Sequence, residues 1–150
     1  MLSLVLLALL AAPGAAPPET GTFRLHKFAQ PIGTETYTIT RQDDTLTLES
    51  HFTFTDRGTP VPLTATLTAA PDYTPRTFTI SGSTSRLSRI DVSVALSGST
   101  ARIRDGRDER TVPAPTPVFA IAGYAPVALE MALMRYWKAH GSPASLAVAT

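Results

Sequence analysis

Three histidines are the residues of this sequence best suited to metal or acid–base chemistry, and their spacing favours neither. His26, His51 and His140 lie far apart, whereas metal hydrolases place ligands in His-x-His or His-Glu-x-x-His motifs. His51 shares an alternating polar face with Glu49 and Thr53, which is typical of a solvated strand residue. The chain has no cysteine, so thiolate ligands and thiol nucleophiles are excluded. We therefore predict no metal and no cofactor in this chain.

The serine-rich stretch at residues 81–85 (SGSTS) comes nearest to a nucleophile motif. A nucleophile elbow needs Gly-x-Ser-x-Gly between a strand and a helix, and Arg86 stands where the second glycine is required. The carboxylate pairs Asp43-Asp44 and Asp105 with Asp108 fall in turn sequences, where Asp serves backbone hydrogen bonding. Acid–base pairs need burial to separate their pKa values. No catalytic residue is therefore assigned.

The densest charge lies in residues 102–110 (RIRDGRDER). Its arginines alternate with acids, and the whole chain has a formal net charge of +1. Cancelled charges release few counterions on binding DNA or RNA, so we do not expect a nucleic-acid partner. A solvated hairpin is the simpler interpretation, and a small-anion patch is the alternative.

The N-terminus predicts export. Residues 2–12 form an uninterrupted apolar run that ends in Pro13, Gly14 and two alanines, which is the length and ending of a signal peptide. A membrane span needs about 20 apolar residues, so none is predicted. We interpret residues 1–16 as a signal peptide and residues 17–150 as one β-rich domain of a periplasmic or extracellular protein, with a buried N-terminal helix as the alternative.

Residues 22–112 alternate between apolar and polar side chains with the period of β-strands. In residues 61–69, for example, Val61, Leu63 and Leu67 would face one side, and Thr64 and Thr66 the other. Short turn sequences recur about every ten to twelve residues, which indicates an antiparallel meander. These turns are Gln42-Asp43-Asp44, Asp56-Arg57-Gly58, Pro71-Asp72, Ser97-Gly98 and Asp105-Gly106.

One helix follows the strands. Pro126 is placed as a first helical residue, Gly141 as the residue after the helix, and Pro143 as a stop. The residues between them are apolar around most of the helix, which predicts burial on more than one side. The tail, residues 142–150, shows no further element. The fold class is α+β, mainly β: a curved antiparallel sheet, or half-barrel, of about seven strands packed around one C-terminal helix.

Residues 22–143 resemble the N-terminal β-rich module that precedes the catalytic domain in certain exported bacterial amidohydrolases. The likeness includes Ile32-Gly33, followed by Glu35-Thr36-Tyr37, and the helix containing Tyr136-Trp137. It implies a fold similar to periplasmic lipoprotein-carrier half-barrels. The metal-binding His-x-His of such amidohydrolases belongs to a barrel outside these 150 residues, so the resemblance assigns no catalytic residue here.

Two functions remain open at this point. The first is a non-catalytic module of an exported bacterial protein, whose partner is a downstream amidohydrolase domain or another protein surface; the chain would then be a fragment that continues past Thr150. The alternative is a stand-alone periplasmic carrier of an apolar or acyl small molecule, bound between sheet and helix. Its cavity would be lined by Phe54, Leu67, Met134 and Trp137. An enzyme complete within this chain has no residue set to support it.

Overall fold

The computed structural model describes residues 16–84, 88–122 and 126–150, so residues 1–15 of the predicted leader lie outside it. The described part forms an eight-stranded sheet, a pair of short strands and one helix. The large sheet consists of β1 (Glu19–Lys27), β2 (Gln30–Gln42), β3 (Thr45–Asp56), β4 (Thr59–Ala69), β5 (Pro75–Ser83), β6 (Arg89–Ser97), β7 (Thr100–Asp105) and β8 (Asp108–Pro113). The remaining elements are β9 (Val118–Ala120), α1 (Val127–Ala139) and β10 (Ala147–Ala149).

The eight strands follow one another in chain order, each antiparallel to the next. The sheet is open, with β1 and β8 as its two edges. This architecture confirms the expected mainly-β class with one helix. The sheet has eight strands where about seven were expected, because the edge strands carry the weakest apolar alternation and bury little of their surface.

Cross-strand register gathers the core on one face of the sheet. One row on this face, the core row, contains one residue from each of six neighbouring strands, and every one of these residues is at most 2% exposed. On the opposite face, Thr40, Thr47, Thr68 and Thr77 form a comparable row. The core row is Ile39, Leu48, Leu67, Phe78, Val94 and Ile103.

The helix covers this core with one stripe of fully buried side chains. Its buried residues are Ala128, Leu129, Ala132 and Tyr136, whereas Met134 is 51% exposed. Met131 and Leu133, which flank this stripe, are partly buried against the core, so burial extends to either side of the stripe. The open sheet lies against one side of the helix, and the described part of the chain does not enclose the other.

The two ends of the helix lie close to where the sequence places them. Pro126 precedes the first helical residue rather than being that residue. Gly141 follows the helix with φ of +78°, a left-handed conformation in which glycine is favoured.

The tail contains a strand that was not predicted from the sequence. Strand β10 pairs in parallel with β9, and the Arg110 guanidinium donates a hydrogen bond of 2.7 Å to the carbonyl oxygen of Thr150. The three residues of β10 are too few to show an alternation pattern in the sequence.

Substitution of Leu67 tests whether the core row lies in the interior of the protein. Leu67→Ala should lower the free energy of unfolding by about 2–5 kcal/mol, because it removes a fully buried side chain from the core. Urea denaturation followed by circular dichroism measures this change. Thr79→Ala, on the exposed face of β5, is the control and should cost less than about 1 kcal/mol. Equal losses in the two variants would contradict the assigned core face.

Candidate functional site

The four residues proposed to line a ligand cavity are dispersed. Leu67 lies in the core row, and Phe54 is half-buried further along the same face, edge-to-face with Phe52 at 5.4 Å between ring centroids. Met134 lies on the exposed side of α1, and the Trp137 indole donates a hydrogen bond of 2.8 Å to the carbonyl oxygen of Pro143. The structure therefore brings Leu67 and Phe54 to one face without joining them to Met134.

Two open depressions lie elsewhere on the sheet. One of about 490 Å³ is on the core face near the β8 edge, where Ile90, Val92 and Ile103 contribute to its lining. Another of about 400 Å³ is on the opposite face, beside Arg102 and Arg104. Neither is lined by a residue of the proposed ligand cavity.

The junction between sheet and helix is organised around a buried carboxylate. Glu35 on β2 is 0% exposed and contacts the start of α1. Its Oε2 accepts a hydrogen bond of 2.7 Å from the Val127 backbone N–H, and its Oε1 accepts one of 2.8 Å from the Ala128 N–H. The Ser50 hydroxyl on β3 donates a third hydrogen bond, of 2.8 Å, to Oε1.

These hydrogen bonds supply acceptors for backbone N–H groups at the start of the helix. The first N–H groups of a helix lack partners within it, and Pro126, the residue before the helix, has no side-chain acceptor. The N–H groups of Leu129 and Glu130 reach the carbonyl oxygen of Pro126 at 3.0 and 3.3 Å. Glu35 supplies the acceptors for the two preceding N–H groups, and its negative charge also suits the positive end of the helix dipole.

A second polar cluster holds the C-terminal half of the helix against the sheet. The Arg135 guanidinium makes two hydrogen bonds to the Glu19 carboxylate, of 2.6 and 3.0 Å, and a third of 2.7 Å to the Tyr73 hydroxyl. Arg41 donates to the same hydroxyl at 2.9 Å. The hydrogen bonds from Arg135 lower the pKa of Glu19 below its usual 4.5. Both side chains are 34% exposed, so solvent screens the pair in part.

The end of the helix is joined to the β4–β5 turn. His140 Nδ1 lies 2.8 Å from the carbonyl oxygen of Tyr136, and because a carbonyl only accepts, Nδ1 donates this bond. Its Nε2 lies 3.1 Å from the Thr74 hydroxyl and 3.5 Å from the Asp72 carboxylate. The backbone N–H of Thr74 is the main cause that lowers the pKa of Asp72. His140 therefore links the C-terminal end of α1 to the β4–β5 turn.

The other candidate chemical groups remain separate. His51 on β3 faces the Thr64 hydroxyl at 3.4 Å, and His26 lies on the edge strand β1. Within residues 16–84, 88–122 and 126–150, no three His, Asp or Glu side chains are grouped as metal ligands would be. Of the serine-rich stretch, Ser81 to Ser83 belong to β5, and Ser85 lies outside the described residues.

Glu35 is not among the site residues predicted from the sequence, although the sequence contains a signal for it. Glu35 has the same alternation parity as Tyr37 and Ile39, so a carboxylate was placed on an otherwise apolar strand face. Such a carboxylate needs hydrogen-bond donors. What the sequence could not supply was the donor, since α1 begins 92 residues later in the chain.

Comparison of the chain with protein-family models, with curated proteins and with solved structures finds no match. Among the described residues, no helix has the length and apolar character needed to cross a membrane.

Removal of the buried carboxylate tests its role as the helix anchor. Glu35→Ala should lower the free energy of unfolding by about 3 kcal/mol, since it leaves two backbone N–H groups and the Ser50 hydroxyl without an acceptor. Chemical denaturation measures the loss. Glu49→Ala, an exposed acid on the other face of β3, should change stability by no more than about 0.5 kcal/mol. Similar losses in the free energy of unfolding for the two variants would show that Glu35 does not anchor the helix.

The Glu19–Arg135 pair should make stability depend on pH. The pKa of Glu19 is lower in the folded state than its usual 4.5. The pair therefore adds its full contribution to the free energy of unfolding above pH 4.5. This contribution is lost as the pH falls through the folded-state pKa of Glu19. Arg135→Gln should therefore destabilise the protein more at pH 7 than at pH 3, measured by thermal unfolding at both values. Arg104→Gln, which removes the exposed pair with Asp91, is the control. A deficit in Arg135→Gln that is the same at both pH values would contradict the assignment.

Proposed function

We propose that this domain is a non-catalytic module of an exported protein, which serves a neighbouring domain through its outer surfaces rather than by enclosing a ligand. The observation that carries the proposal is that hydrogen bonds fasten the helix to the sheet at both ends of the helix. Glu35 holds the first turn of α1, and Arg135 holds its second half to Glu19 and Tyr73. A carrier that binds its ligand between sheet and helix would have to open this junction to admit it.

The packing between these two anchors supports the same proposal. Leu67 and Phe78 from the sheet, and Leu129 and Tyr136 from the helix, are all 0% exposed. The Tyr136 ring packs against Phe119 with 5.4 Å between centroids. Side chains that close-pack in this way form a core, and an internal ligand site needs several hundred Å³ between them.

The buried carboxylate and hydroxyl of the sheet are both used in hydrogen bonds that hold the fold together. Glu35 and Ser50 are both 0% exposed and bond to one another as well as to the helix. A catalytic carboxylate must remain free to exchange a proton with a substrate. This commitment supports a module without chemistry of its own and fits the likeness to accessory modules of exported amidohydrolases.

The carrier hypothesis remains the alternative, favoured by the open sheet and by the depression of about 490 Å³ on its core face. Titration with a fluorescent fatty acid separates the two functions. We expect no saturable binding at micromolar concentrations and no lipid in native mass spectra of the protein purified from its own host. Stoichiometric binding that changes the emission of Trp137 would overturn the module proposal.

A second test concerns the partner. We expect the coding sequence to continue after the codon for Thr150 into a domain with a His-x-His motif, and the two domains to co-purify after limited proteolysis between them. A stop codon directly after Thr150 would remove the amidohydrolase association.

A further inference from the structure

The tip of the β1–β2 hairpin presents an aromatic side chain to solvent. Lys27 pairs with Gln30, so the connecting loop consists of Phe28 and Ala29 alone. Phe28 is 92% exposed, by far the most exposed of the large apolar residues described. Single exposed apolar residues are common, but an aromatic ring at a loop tip with almost no contact to its own chain suits contact with something else.

The backbone of this tip is unfavourable for the residues that occupy it. Phe28 has φ of +49° and Ala29 has φ of +63°. Two-residue hairpin loops with both φ values positive favour Asn-Gly, because side chains with a bulky Cβ substituent are strained there. Since the Phe28 ring is solvent-exposed, packing within the described fold does not compensate the strain. Strain at an exposed tip is more typical of binding sites than of structural turns.

The charges around the tip are of one sign. Between Thr20 and Thr34 the sequence contains Arg24 and Lys27 and no Asp or Glu. Two other turns at this end, Asp56-Arg57-Gly58 and Asp105-Gly106-Arg107, contain both acidic and basic residues. The turns at the opposite end of the sheet contain Asp43, Asp44 and Asp72, and Asp44 is paired there with Arg76 at 2.8 Å.

We propose that the β1–β2 hairpin tip binds an anionic lipid surface. The Phe28 ring enters the boundary between headgroups and acyl chains, where aromatic side chains are favoured. Lys27 and Arg24 contact the lipid phosphates, with their aliphatic stems along the apolar layer. The opposite end of the sheet would face away from the membrane. This inference does not depend on the proposed function, because a module and a carrier could both dock in this way.

Co-sedimentation of the protein with vesicles tests the proposal. We expect binding to vesicles of phosphatidylcholine and phosphatidylglycerol in a 7:3 ratio, and much weaker binding to phosphatidylcholine alone. Phe28→Ser should weaken binding about tenfold, and Lys27→Gln about fivefold. Met134→Ser is the matched control, because it removes an exposed apolar side chain on the helix and should leave binding unchanged.

A double variant separates lipid binding from folding. Phe28→Asn combined with Ala29→Gly gives the loop the residues that its backbone favours, so the melting temperature should rise while binding to anionic vesicles falls. Equal binding of the wild-type protein to neutral and anionic vesicles would overturn the proposal. Unchanged binding of Phe28→Ser would also overturn it. Competition by soluble polyglutamate, with no dependence on Phe28, would instead indicate an acidic protein partner and refute the lipid surface.

Discussion

The hydrogen bonds from the first turn of α1 to the carboxylate of Glu35 are the interaction on which this architecture depends. They join residues 92 positions apart and fix where the helix starts on the sheet. Because the carboxylate also accepts from Ser50 on the next strand, the helix position is tied to the register of β2 and β3. A buried carboxylate without these donors would be strongly unfavourable, so the sheet and the helix each need the other.

The open sheet explains the remaining features of the packing. A closed barrel would surround a helix, whereas this open sheet buries Leu129 and Tyr136 fully and leaves Met134 on the other side 51% exposed. The C-terminal half of the helix is held instead by Arg135, which bridges β1 and the β4–β5 turn through Glu19 and Tyr73. Two polar anchors and one apolar stripe thus hold the helix where a surrounding sheet does not.

The interior and the periphery of the domain have different roles in this view. The core row and the helix stripe are occupied by side chains and give rigidity, which suits a module that supports or positions a neighbour. One feature not explained by folding lies at the edge: the exposed ring of Phe28, in a backbone conformation that disfavours it. A protein built in this way would use its rim, with the β1–β2 hairpin tip as the part most suited to contact.

The sequence by itself determined the mainly-β class, the antiparallel order and the position of the helix, because alternation and turn residues such as Asp56-Arg57-Gly58 are local signals. It did not reveal β10, which is too short for a pattern, or the turn at Phe28-Ala29, which lacks the usual residues. It also grouped Met134 and Trp137 with Leu67, because composition does not show which side of a helix an open sheet covers. Tertiary structure decided the role of Glu35: its hydrogen-bond donors lie at the far end of the chain, and only folding brings them together.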